Sequence, residues 1–489
     1  MTVLVVGGGI TGLVAAWSLG RAGVPTVLVE ATGRLGGKVR TERTDGFLIE
    51  HGPDALITYR PAAAELARDL GLGESIIRVN EPRSVSIRAG GRSVPMPDGM
   101  GLVLPTRMLP FITTGLLGPL QKLRAGLDLV LPRTLGSADV GIGPFLERRL
   151  GRGIVDRLAG PLLGGVYGTR VGDLSLDAVV PSLRESERVH RSLMLASIAA
   201  GKARGHGGGS PFVTLAGGIG ALTDALVRSL GQLPGVDVRT GSDVASLEPS
   251  PSGTTVRLAN GDVLRPEAIL LATPAPATAG LVESFAPAAA AHLRAIPYGS
   301  TGVVTLAYRE EQFPGPVTTH GFLVADDEPL AISAATITSR KWTGRAPDGT
   351  VLVRVFIGDK SDALLRSTDD AIVAASRRDL ETTLGVHGDP LLVRVTRWVD
   401  QMPHYTVGHI GRVDAALRAL APFPDITVAG SAYRGVGLPD CVAQGRAAAH
   451  AIIDGREREP VAGDSSPIDA SKRAPAPAGA ALSIAGDRR

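Results

Sequence analysis

The sequence predicts an α/β fold, and three observations carry that expectation. Thr2–Val6 is an unbroken apolar run that ends at Gly7-Gly8-Gly9-Ile10-Thr11-Gly12, the form of a strand buried on both faces. Leu13–Leu19 follows with a helical pattern, and Thr26–Glu30 reads as a second strand, so the three segments close a βαβ unit. Far downstream, Ile426–Ala432 is again a buried strand, ending in small residues before the turn Gly435–Asp440 and a helix from about Cys441. A chain of 489 residues also exceeds what one hydrophobic core organises, which implies two or three interleaved domains.

Composition excludes several classes of function. Lys and Arg nearly balance Asp and Glu, for a net charge of +3, so there is no electrostatic footprint for nucleic acid. The single cysteine, Cys441, rules out an internal disulfide framework and a cysteine-rich metal site and fits a reducing compartment, the cytoplasm. The histidines lack ligand spacing and no metal site is expected. Between Met100 and Leu131 the apolar run is interrupted by Pro105, Arg107, Pro110, Lys122, Arg124 and Asp128, so it does not span a bilayer. Two readings remain for it: a helical pair facing a cavity or core, which is favoured, or a surface for peripheral membrane contact. From Arg456 the chain is rich in Pro, Ala, Ser and charge, and residues 456–489 are expected to be a disordered tail.

The glycines of the first turn each have a physical duty. Gly7 permits the tight turn, Gly9 lets the backbone approach a pyrophosphate, and Gly12 lets helix and strand pack closely. Gly8, Ile10 and Thr11 complete a loop whose helix N-terminus faces phosphate charge. Glu30, ending the second strand, stands where a carboxylate accepts hydrogen bonds from ribose hydroxyls. Together these features predict a bound dinucleotide.

Arg34–Thr41, with the doublet Gly36-Gly37, resembles the second fingerprint of the FAD-binding oxidases that include monoamine oxidases, phytoene desaturases and porphyrinogen oxidases. The doublet favours FAD over a nicotinamide cofactor, because a flavin lying extended across the domain needs close backbone approach. Phe47–Ala55 is similar to the strand and turn that meet the flavin in that superfamily, which places Gly52, Pro53, Asp54 and Ala55 close to the ring. Asp237–Val244 looks like its late strand, with Val244 by the adenine, and Ala268–Pro274 looks like the next strand with its Ala-Thr-Pro turn. The resemblance also implies Ala31, Lys38, Trp398, Gly430, Ser431, Val436, Gly437 and Leu438 as cofactor-binding residues.

Within the superfamily, Leu102–Arg107, Gly118–Leu129, Pro161–Gly168, Arg340–Pro347 and Gly435–Cys441 resemble the protoporphyrinogen and coproporphyrinogen oxidases, over the chain from its start to about Gly455. The resemblance implies noncovalent FAD, with Cys441 a small buried residue, and oxidation of a porphyrinogen by dioxygen with release of hydrogen peroxide. Absence of a spanning helix and a composition similar to actinobacterial members favour coproporphyrinogen III, with protoporphyrinogen IX, or another amine oxidase or desaturase substrate, as alternatives. The resemblance places Arg83 toward the substrate, where a guanidinium suits a carboxylate, and Tyr167 is a pocket candidate. No residue is assigned as a catalytic base. A discontinuous Rossmann-like FAD-binding domain is expected from residues 1–75, 210–285 and 400–455. A mixed-sheet substrate domain is expected from 76–97 and 286–399, with strands at Arg83–Pro95, Gly302–Tyr308, Leu330–Ala335 and Thr350–Ile357. A helical subdomain is expected over 98–209.

Overall fold

The computed structural model describes residues 2–100, 104–204 and 210–458. Its N-terminal strand Val3–Val6 lies at the centre of a five-stranded parallel sheet ordered Val236–Arg239, Thr26–Val29, Val3–Val6, Ala268–Leu271, Ile426–Val428. Both faces of this sheet are covered, which is why its inner strands Thr26–Val29, Val3–Val6 and Ala268–Leu271 are almost wholly apolar, whereas the edge strand Val236–Arg239 alternates. On one face the helices Ile10–Arg21, Gly220–Leu230 and Leu438–Arg458 share a core with Val3, Val5 and Leu28. On the other, Leu4, Val6 and Val29 pack with the helices Ala275–Val282, Pro287–Arg294 and His409–Leu420 and with the hairpin strands Val244–Ser250 and Gly253–Leu258. Pro287–Arg294 therefore packs beneath the parallel sheet, although its place in the sequence suggested the mixed-sheet part.

A second, seven-stranded sheet runs in the order Leu392–Pro403, Tyr298–Arg309, Thr350–Ile357, Ala334–Ile337, Gly321–Val324, Val85–Ala89, Arg92–Pro95. Its pairs are antiparallel except Gly321–Val324 with Val85–Ala89. The strand expected over Leu330–Ala335 lies at Ala334–Ile337, and the strands Gly321–Val324 and Leu392–Pro403 were not expected. Leu392–Pro403 is half-buried along most of its length, so it lacks the clean alternation by which a strand is recognised.

Between the strand Arg92–Pro95 and the strand Phe212–Leu215 the described residues are mainly helical. A run of π-helix at Val155–Gly164 leads into Tyr167 and Gly168, and the surrounding helices close on a core of Phe111, Phe145, Leu146, Leu158 and Leu183. Arg149, entirely buried, donates to Asp128 Oδ1, to the Pro132 and Arg191 carbonyls, and lies 3.4 Å from Glu187. Asp128 also accepts from Ser192 Oγ and from the Met194 amide, so this buried ionic group is hydrogen-bonded on every side, the condition under which such a group is tolerated. The 100–131 segment buries Phe111, Leu116, Leu117 and Ala125, yet Leu109, Ile112, Leu120, Leu123 and Val130 are all more than half exposed; the favoured core-facing reading holds for only part of it. No helix among the described residues is long and apolar enough to cross a membrane. At the C-terminal end, residues 456–458 continue the last helix, and the remainder of the expected tail lies outside the described residues.

Candidate flavin-binding site

The glycine loop joins the central strand to the helix Ile10–Arg21. Gly7 has φ +106°, a conformation that only glycine adopts cheaply. A Cβ on Gly8 would lie 2.5 Å from Leu35 Cδ2, and one on Gly12 would lie 1.9 Å from the Gly7 carbonyl oxygen. Gly9 is different: a Cβ there would meet no protein atom within 4 Å. The helix begins at this open point with no side-chain cap on its amides. Unfilled space at a helix N-terminus is what a pyrophosphate requires, and the residues fit an extended dinucleotide.

The following loop closes on the first. The Gly36 amide donates to the Gly8 carbonyl at 2.8 Å, and a Cβ on Gly37, at φ +56°, would lie 3.2 Å from Gly9 Cα. Arg34 ties the loop by donating to the carbonyls of Leu35, Gly37 and Val39. Glu30 reaches the same place, where Oε2 accepts from the Gly8 amide at 2.7 Å and Oε1 from Thr32 N and Oγ1. Its carboxylate is thus oriented with lone pairs to spare, and Ala31 beside it is exposed. The Ser242 amide donates to the Glu30 carbonyl, while Val244, just beyond it, packs with Val6 and Val29. Burial holds the Lys38 ammonium below the usual lysine range.

Gly52 packs so tightly that a Cβ would lie 1.9 Å from the Lys38 carbonyl oxygen. Two residues on, Asp54 Oδ2 sits 3.1 Å from Lys341 Nζ and 3.4 Å from Arg354 Nη1. Burial alone would raise this carboxyl, but the two cations outweigh it and hold it well below the carboxylate range. Arg354, buried in the mixed sheet, also donates to the Gly52 carbonyl at 2.6 Å. Trp398 Nε1 donates to the His51 carbonyl at 3.0 Å, and the His51 ring lies between Thr396 Oγ1 and Glu42 Oε2. The Gly52–Ala55 turn is therefore clamped by Arg354 of the mixed sheet and by Lys341 of the short helix Thr338–Lys341, while Trp398 holds the preceding residue, His51.

The C-terminal turn approaches from the other sheet. Gly430 and Gly435 have φ +137° and +131°, and a Cβ on Gly435 would lie 2.5 Å from Asp440 Cγ. Asp440, in the first turn of the helix Leu438–Arg458, accepts both of its short bonds from Arg60 Nη1. Cys441 is buried, and burial pushes its thiol up to about 11. The Gly445 backbone lies so close to the first helix that a Cβ would be 2.5 Å from the Thr11 carbonyl oxygen. The helices bearing Gly9–Gly12 and Val436–Leu438 are thus locked side by side.

Most of the expected cofactor residues converge on these three turns. Tyr167, half-buried, lies in the electrostatic field of Arg60 and Asp440 beside the C-terminal turn. Arg83 is exposed, with its amide bonded to Glu81, and its charge reaches His320, which also senses Lys341. A groove of about 220 Å³ between the mixed sheet and the end of the helix Asp369–Leu384, lined by Ser84, Ser86, Phe322 and Thr383, touches none of the cofactor candidates. Sequence reasoning missed Arg354, Trp342, whose Nε1 lies 3.5 Å from Asp54 Oδ2, and Tyr405, whose hydroxyl donates to the Ser431 carbonyl; all three act through partners distant in the chain. It also missed Arg345, buried, whose guanidinium donates to the Leu215 and Ala216 carbonyls and to Thr214 Oγ1.

A doubly covered parallel sheet, an open glycine loop and two further glycine turns brought to it define a dinucleotide-binding oxidoreductase, and residues 10–453 match the family described as flavin containing amine oxidoreductase. The chain belongs to that family, and its cofactor is FAD. It is 45% identical over 485 residues to the coproporphyrinogen III oxidase of Propionibacterium freudenreichii subsp. freudenreichii, covering 92% of this chain and 90% of the relative. The coproporphyrinogen III oxidase of Bacillus subtilis is 34% identical, covering 91% and 96%. The protoporphyrinogen oxidase of Bos taurus is 31% identical, covering 92% and 98%. Among solved structures, a protein assigned as a protoporphyrinogen oxidase from Exiguobacterium sp. 255-15 superposes with a TM-score of 0.82 at 31% identity, covering 92% and 98%.

Proposed function

We propose that the protein oxidises coproporphyrinogen III to coproporphyrin III, with dioxygen as acceptor and hydrogen peroxide as product. The observation that carries this reading is the 45% identity, across nine-tenths of both chains, to a coproporphyrinogen III oxidase. The reaction removes six hydrogens in three two-electron steps, and each step reduces one dioxygen to one hydrogen peroxide. When bound, FAD supplies the acceptor for a hydride from a methylene bridge.

The chain's own residues bind and orient. Gly7–Gly12 and the helix N-terminus hold the pyrophosphate, Glu30 and Ala31 the ribose, and Val244 the adenine side. Lys38, Gly52–Ala55, Trp398 and the turn from Gly430 to Leu438 surround the flavin end. Arg83 meets a substrate carboxylate, and Tyr167 lines the pocket beside the C-terminal turn. Residues 1–75, 210–285 and 400–455 form the FAD-binding domain, joined by the helix Pro287–Arg294 that packs beneath its sheet; the rest of 286–399, with 76–97, forms the substrate domain, and 98–209 the helical subdomain. The protein acts in the cytoplasm in haem synthesis. The exposed Leu109, Ile112, Leu120, Leu123 and Val130, interspersed with Arg107, Lys122 and Arg133, provide a surface for peripheral membrane contact.

Anaerobic mixing of the FAD-loaded protein with coproporphyrinogen III should bleach the flavin absorption band. If the band persists with coproporphyrinogen III and is bleached by an amine, the reading fails. A protoporphyrinogen IX oxidase is the second reading, favoured by the likeness to the Bos taurus enzyme.

A further inference from the structure

Tyr405 follows the edge strand Leu392–Pro403 of the mixed sheet, yet its hydroxyl reaches the C-terminal flavin turn. The hydroxyl donates to the Ser431 carbonyl at 2.8 Å and accepts from the Gly435 amide at 2.7 Å. One buried oxygen therefore ties together two backbone groups on either side of the bend between the strand Ile426–Val428 and the helix Leu438–Arg458. The tyrosine is itself fixed: its ring stacks on His409, with centroids 3.8 Å apart and planes within 16°. His409 Nε2 lies 3.2 Å from the Tyr433 carbonyl, a third attachment inside the same bend; since a carbonyl only accepts, Nε2 carries the proton. Both side chains are buried.

The bend needs such attachments. Gly430 and Gly435 both take positive φ, and glycines leave a loop with much conformational freedom to lose. Beyond them the helix presents its first amides toward the position assigned above to the flavin. A helix N-terminus stabilises negative charge only when its amides are held in place, because the effect falls away within the first turn.

We propose that Tyr405, braced by His409, is a positioning residue that holds the Ser431–Leu438 turn in the geometry that stabilises charge on the reduced flavin. The proposal rests on the assignment of that turn to the flavin. It makes Tyr405 a determinant of the flavin's reduction potential rather than of substrate affinity. Tyr405→Phe keeps the ring and the stack and removes only the oxygen, so the Ser431 carbonyl and Gly435 amide lose their shared partner.

The test uses FAD-loaded full-length wild type, Tyr405→Phe, His409→Phe and Tyr308→Phe. Tyr308 is equally buried but lies in the core between the mixed sheet and the helix Asp369–Leu384, away from the turn. The midpoint potential of the bound flavin is measured by dye equilibration, FAD affinity by titration of the apoprotein, and kcat and KM by steady-state turnover. Tyr405→Phe should shift the potential negative by about 30 mV, the two-electron equivalent of a tenfold change in equilibrium. Its kcat should fall several-fold at unchanged KM, and FAD should bind more weakly. His409→Phe, which keeps a stacked ring but loses the Tyr433 contact, should shift the potential in the same direction by less, and it keeps the test decisive if Tyr405→Phe does not fold. Tyr308→Phe should leave the potential unmoved. If wild type turns over and the potential is the same in Tyr405→Phe, or in His409→Phe where Tyr405→Phe does not fold, the positioning role is refuted and the flavin assignment stands. If wild type binds no FAD, the assignment itself has failed.

Discussion

A methyl group on Gly12 would lie 1.9 Å from the carbonyl oxygen of Gly7, whereas one on Gly9, three residues earlier, would meet no protein atom within 4 Å. The two glycines are required for different reasons, one by the protein and the other by what it binds. Gly12→Ala should destabilise the apoprotein by about 3 kcal/mol, since the oxygen is backbone and cannot move aside. Gly9→Val should cost the apoprotein only about 1 kcal/mol and abolish FAD binding. Thermal unfolding of both apoproteins, with FAD titration of each, separates the two. Stoichiometric FAD in Gly9→Val would refute the assignment of that space to the pyrophosphate.

Asp54 faces Lys341 and Arg354, both largely buried. Its removal in Asp54→Ala should cost about 3–5 kcal/mol, because two cations lose their common counter-charge. The folded-state pKa lies below the unfolded one, so this stabilisation is complete above about pH 4 and lost as pH falls below it. Urea midpoints measured from pH 5 to pH 3 should fall more steeply for wild type than for Asp54→Asn. Parallel profiles would show that the ion pairs carry no stability.

Burial lowers the pKa of His51, His320, His404 and His409, the last to about 4. A histidine kept neutral in the fold and titrating near 6.5 when unfolded contributes stability that is complete above about pH 6.5 and lost as pH falls toward 4. For His409 that amounts to about 3 kcal/mol at most. The hydrogen bond to the Tyr433 carbonyl and the charge of Asp139 oppose the effect, and Arg412 and Arg434 reinforce it. The stability of His409→Phe should therefore vary less between pH 6.5 and pH 4.5 than that of wild type, as read by urea unfolding. An equally steep profile would place the titration elsewhere.

With its thiol pushed up to about 11, Cys441 should resist alkylation by iodoacetamide at pH 8 in the native protein and react quickly in urea. Acid precipitation should leave the flavin in the supernatant. Colour retained in the pellet would establish a covalent link and overturn the noncovalent reading.

The shape of the glycine loop was legible because its constraints are local: the positive φ of Gly7 and the close packing of Gly12 arise within one βαβ unit, whereas the bond from the Gly8 amide to Glu30 was not read. The second sheet was less so. Leu392–Pro403 is half-buried along most of its length and carries no alternation, so the strand went unread, and Trp398 was expected at the cofactor only through the resemblance to the superfamily. Gly52–Ala55 was placed near the flavin, but the clamp that orients it comes from Arg354 and Lys341, about three hundred residues away. Nothing in the local pattern of a strand-borne arginine distinguishes a buried clamp from a solvated charge. Tyr405 was missed for the same reason, since its two acceptor and donor partners belong to a turn read separately. The expectation for 100–131 went half wrong because interrupted apolar runs reveal amphipathicity but not which leucines a neighbouring helix will cover.

The proposed substrate is coproporphyrinogen III. The most direct measurement is the steady-state kcat/KM of the FAD-loaded protein for coproporphyrinogen III and for protoporphyrinogen IX at matched oxygen, read by porphyrin fluorescence. The value should be higher for coproporphyrinogen III, with Arg83→Ala raising KM at little change in kcat because a carboxylate contact made equally in ground and transition states is lost. A higher kcat/KM for protoporphyrinogen IX would contradict the assignment and leave a flavin-dependent porphyrinogen oxidase of the other substrate class.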